Sequence, residues 1–126
     1  MSHRPDAKDR RILYLLSFFK NGINEMLLFR FIKSLTLEGV QFGCTMSNEA
    51  WYSIELQKKL DRLVERGYIN KFVTVGRLYT HLYITVYRIT ERGLKYIEKN
   101  PIPEVERKKV KNFIEKALEK IYSKSG

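Results

Sequence analysis

One stretch, Ser53 to Gly93, leaves few folds open to this chain. Leu56, Leu60, Leu63 and Val64 fall on one face when turned at 3.6 residues, which predicts a helix. Ser53 stands in front of it as an N-cap, and Gly67 ends it with Arg66 in the last turn. Tyr68 and Ile69 then turn back toward the core. Residues 69–75 and 78–89 are rich in Val, Ile, Tyr, Thr and Leu, which favour strands, and Gly76 separates them. Thr90 caps a further helix, with Glu91 near its positive end.

The flanking segments are helical. Residues 1–7 read as a short arm. Asp6 or Asp9 caps a first helix running to about Lys20, with Ile12, Leu13, Leu15, Leu16 and Phe19 as its buried stripe. Asn24 caps a second, whose face is Leu27, Leu28, Phe31, Ile32 and Leu35 and which fades at Glu38-Gly39. Beyond it, Val40, Phe42 and Cys44 alternate like a short strand, while Ser47 is a rival start for the next helix. Trp51 reads as a core anchor. Asn100-Pro101-Ile102-Pro103 ends the helix opened by Thr90. A last helix is expected from about Glu104 to Tyr122, with Val110, Phe113, Ile114, Ala117, Leu118 and Ile121 as its apolar stripe. That stripe needs a cover, either the first helix or the same helix of a second copy.

Charge narrows the choice of partners. The formal net charge is +10, and residues 54–99 carry ten bases against five acids. A polyanion is therefore the expected partner, although a charged surface of Lys and Glu is the plainer account. Cys44 is the single cysteine, so no disulfide or thiolate metal site can form within one chain. No apolar run approaches the ~20 residues of a membrane span, and residues 1–11 lack the apolar core of a secretory signal. A cytoplasmic protein without metal or cofactor is expected. Asp61 and Glu65 share a helix side, but basic neighbours make them surface ion pairs. No phosphate loop, zinc motif or nucleophile arrangement is present, so no enzyme activity is expected.

A duplex needs cations near phosphates and a helix able to reach base edges. Lys58, Lys59 and Arg62 lie away from the centre of the leucine face, and Tyr52 and Ser53 stand at that helix's N-terminus. Lys71 and Arg77 belong to the hairpin, with Arg77 beside the turn. Tyr79, Tyr83 and Tyr87 share one strand side, an arrangement that could instead stack single-stranded bases. Both sides of this strand carry large apolar groups, more than a solvated hairpin needs, which points to protein contacts.

Leu56, Leu60, Leu63, Gly67, Tyr68 and Ile69, followed by Tyr87, Arg88, Ile89, Thr90, Glu91, Arg92 and Gly93, resemble the core of archaeal and bacterial winged-helix regulators, including MarR-like and PadR-like proteins. The resemblance implies an α+β, mostly α fold: a winged helix-turn-helix over residues 8–100, with a two-stranded antiparallel wing and an additional C-terminal helix over 101–126. It implies a homodimer with a transcriptional role, and the residues expected to contact double-stranded DNA remain those read from charge and position: Tyr52, Ser53, Lys58, Lys59, Arg62, Lys71 and Arg77. The C-terminal stripe would then serve dimerisation. The alternatives are a winged-helix protein-interaction module and a non-specific nucleic-acid-binding protein.

Overall fold

The computed structural model describes residues 5–44, 52–75 and 83–125, with backbone alone for 121–125. Four short polar side chains set where the first four helices begin. Asp6 accepts the Asp9 N–H at 2.8 Å, and the Asp9 carboxylate accepts the Asp6 N–H at 3.2 Å, a capping box for α1 (Ala7–Leu16). Asn24 accepts from Leu27 N–H at 2.7 Å to open α2 (Glu25–Leu37). Ser53 accepts from Leu56 N–H at 3.3 Å to open α3 (Ile54–Glu65). Thr90 accepts from Gly93 N–H at 3.1 Å to open α4 (Glu91–Lys99). After Pro101-Ile102-Pro103, α5 runs from Glu104 to Ser125.

Three strands accompany the helices, so the chain is α+β and mostly helical. They are β1 (Ile23–Asn24), β2 (Ile69–Val75) and β3 (Tyr83–Ile89), in the antiparallel order β1-β3-β2. Ile69 faces Ile89, Lys71 faces Tyr87 and Val75 faces Tyr83, while Ile23 of β1 faces Tyr87 from the other side. The β2–β3 pair is buried only at its root, where Ile69, Tyr87 and Ile89 enter the core. Farther out Val73, Val75 and Tyr83 are exposed. The core itself is the inner stripe of α1, α2 and α3, closed by Val110 and Ile114 of α5.

Several expectations change. The two-stranded sheet gains β1, whose two residues are too few to show a period. α1 stops at Leu16 rather than near Lys20, because the N–H groups of Phe18 and Phe19 turn back to Leu15 and Leu16 in tighter i→i+3 bonds. Residues 40–44 form no strand, yet Val40 and Phe42 are buried. Ser53 caps α3; the rival start at Ser47 lies outside the described residues, as do Trp51, Arg77 and Tyr79. The apolar stripe of α5 is covered within the chain over its first turns. Val110 and Ile114 are fully buried, and Phe113 meets the Phe31 ring edge-on at 5.3 Å. These residues are core, not a dimer surface. Ala117 and Leu118 are half-buried against the same core, and the Ile121 side chain lies outside the described residues.

The exits of α3 and β3 are tied together. Gly67 takes φ +80°, Tyr68 N–H bonds Leu63 O and Gly67 N–H bonds Val64 O, each at 3.0 Å, a Schellman close of α3. Thr90 N–H then donates to Tyr68 O at 3.0 Å, and its hydroxyl donates to Gly67 O at 2.6 Å. Gly93 leaves no room for a side chain, since a Cβ would sit 2.4 Å from Tyr68 O. One threonine therefore fixes where the strand pair and α4 leave the end of α3.

Candidate nucleic-acid interface

The inner face of α3 is held by Leu56, Leu60 and Leu63, all buried. A second anchor is polar. The Tyr87 hydroxyl accepts from Gln57 Nε2 at 2.8 Å and donates to Glu25 Oε2 at 3.0 Å, joining α3, β3 and the start of α2. Burial pushes the Tyr87 phenol far above its ordinary pKa, and the Glu25 charge adds to that rise against the Gln57 bond. The hydroxyl stays protonated and able to donate. The helix is thus fixed at its middle as well as at its ends.

On the outer face, Lys58 and Arg62 are exposed one turn apart, and no carboxylate lies within ion-pair distance of either among the described residues. An open surface groove of about 450 Å³ runs beside them, lined by Gly43, Glu55, Lys58, Lys59, Asp61 and Arg62. Lys59 departs from expectation. It is 8 % exposed, and its ammonium lies 3.4 Å from Asp9 and 4.0 Å from Asp6. Its position three residues after Leu56 and four before Leu63 turns it inward, so it locks α3 to the start of α1. Burial raises the Asp6 carboxyl pKa. The Asp9 N–H, the Lys59 charge and the Lys8 N–H together outweigh that and hold it below its ordinary value.

The other expected contacts divide. The Tyr52 ring stacks on Phe29 at 5.4 Å, nearly parallel, with 41 % of the residue still exposed. Ser53 is buried, with its oxygen engaged in the cap. Lys71 leans over the Tyr87 ring at 5.8 Å and lies 3.8 Å from Asp61, so the root of β2 is clipped to α3. Arg77 lies outside the described residues. Lys8 of α1 was not singled out from the sequence, yet it reaches the groove: a side chain at Gly43 would meet Lys8 Cδ at 2.6 Å. No local pattern could have shown this, because the approach joins distant parts of the chain.

A family model described as "Uncharacterized protein MJ1567 family" matches residues 11–125. The chain belongs to that family. No curated protein and no solved structure shows significant similarity to it. The MJ1567-family match takes in α3, the strand pair and α5 together, so the Lys58–Arg62 edge lies inside it.

In this MJ1567-family chain the surface offers two unpaired cations on a firmly held helix, a combination suited to phosphate or to acceptor groups on base edges. Glu55, Asp61 and Glu65 are exposed on the same helix. They restrict favourable anion contact to the Lys58–Arg62 edge. Cys44 is a poor nucleophile here, because burial and the Glu55 charge push its thiol pKa up against the pull of Lys59. No group of residues able to hold a metal ion occurs among the described residues. None of their helices is long and apolar enough to cross a membrane.

Proposed function

We propose that this chain is a winged-helix protein that binds double-stranded DNA as a transcriptional regulator, with α3 as the helix presented to the major groove and β2–β3 as the wing. The observation that carries the reading is the Lys58–Arg62 edge: exposed, unpaired, and rigidly placed next to the strand pair by the Thr90 tie. The element order α1-β1-α2-α3-β2-β3 and the sheet order β1-β3-β2 support it. So does the sequence resemblance to MarR-like and PadR-like regulators. Lys71 and Arg77 would supply phosphate contacts from the wing, and Tyr52 an edge contact near the N-terminus of α3. A homodimer would use surfaces left after α5 has packed on its own chain, including the segment around Ala117 and Leu118.

A second reading has its own support. Phe72, Val73, Val75, Tyr83 and Ile84 expose apolar area on the strand pair, which fits a protein-interaction module. Footprinting on DNA upstream of the gene, set beside affinity capture from native extract, separates the two. The regulator reading expects a protected site that vanishes for Lys58→Ala/Arg62→Ala. Unaltered protection by that variant sinks the assigned face, and a stoichiometric protein partner without a footprint favours the module.

A further inference from the structure

A second site lies away from α3, between α1, α4 and α5. Arg10, Tyr14 and Ser17 recur at helical spacing along α1 and form one wall of a cleft of about 390 Å³, within the range of small-molecule sites. Leu94, Ile97, Pro101 and Ile102 form an apolar wall, and Arg107 of α5 closes one end. Glu98 also lines the cleft.

Two N–H donors at this cleft lack an acceptor. Arg10 Nε and Arg107 Nε are both buried, and neither has a hydrogen-bond partner among the described residues. The nearby carboxylates are engaged elsewhere. Glu106 makes a two-pronged bond to Arg11 at 2.6 and 2.9 Å, and Glu104 pairs with Lys108 at 3.5 Å. Glu98 forms no ion pair with either arginine. Native structures rarely leave a buried donor unmet, and each such case asks what supplies the acceptor. Here two meet at one cleft.

We propose that this cleft binds a small organic monocarboxylate with an apolar body. The planar guanidinium groups of Arg10 and Arg107 match a carboxylate fork. The hydrocarbon part lies on Leu94, Ile97, Pro101 and Ile102, which an inorganic anion could not use. Two arginines set against Glu98 leave one positive charge, which suits a monoanion better than a phosphate dianion. The site does not depend on the DNA reading and is tested without DNA.

The test is isothermal titration of the full chain with 3-phenylpropionate as probe. Its neutral amide and inorganic phosphate are the controls. Saturable binding of the carboxylate is expected, at least tenfold tighter than the amide or phosphate. Arg107→Gln should weaken it at least tenfold. That variant should also keep or raise the ligand-free melting temperature, since it removes an unmet buried N–H donor. Leu94→Trp fills the cleft without touching either arginine and should abolish binding, so it carries the test if Arg107→Gln does not fold. Absence of saturable carboxylate binding overturns the proposal. Equal binding of phosphate, or unchanged affinity in Leu94→Trp, does the same.

Discussion

Thr90 and Gly93 show how single residues set the geometry of the candidate interface. Thr90 bonds three backbone groups, of Gly67, Tyr68 and Gly93. Thr90→Ala should cost about 1–2 kcal/mol of unfolding free energy in urea titration. Gly93→Ala drives a methyl against Tyr68 O and Ile89 Cγ1, and should cost about 1–3 kcal/mol. Both residues were readable as motif positions, but their reason was not, because it lies in contacts to Gly67 and Tyr68 across the strand pair. Lys59 teaches a related lesson. The sequence reading set it away from the leucine face as an available cation, yet the fold turns it inward, where Asp6 and Asp9 meet it. Asp6 links this contact to pH. Its folded-state pKa is depressed, so its contribution is complete above the unfolded value near ~4 and is lost as pH falls through the folded one. The stability gap between wild type and Asp6→Asn should accordingly shrink on acidification below about pH 4, as followed by thermal melts.

At the scale of elements, caps and stripes were legible and partners were not. Thr90 and Asn24 marked helix starts directly, Ser53 did so only against the rival start at Ser47, and the leucine period set the inner face of α3. The period of α5 showed that its face must be covered, while saying nothing of what covers it. The fold answers with Phe31 and with Arg11, which Glu106 grips by two bonds. Removing α5 after Pro103 would uncover the core around Phe31. Such a truncation should lose cooperative unfolding in calorimetry, rather than yield a stable monomer. Glu106→Ala leaves a part-buried guanidinium with only the Gln41 carbonyl, and should cost about 1–3 kcal/mol by the same urea measurement. β1 escaped notice because two residues cannot show alternation; its only local mark was Ile23 between Gly22 and Asn24.

For the whole molecule, the net charge of +10 pointed to a polyanion without saying which surface would meet it. Folding sorts those charges. Lys59 and Arg11 are used within the chain, Lys71 is clipped to Asp61, Arg10 and Arg107 gather at the cleft, and Lys58 and Arg62 are left on α3. The candidate site was therefore partly legible: its helix was, but the split between structural and available cations was not. If the protein is a homodimer, light scattering should give about twice 15.0 kDa. Duplex affinity as a function of salt reads the role of the Lys58–Arg62 edge most directly. A steep fall of log K with log salt is expected. In Lys58→Ala/Arg62→Ala the slope should be shallower by about 1–2, with at least tenfold weaker binding at low salt. An unchanged slope and affinity in that variant would contradict that role.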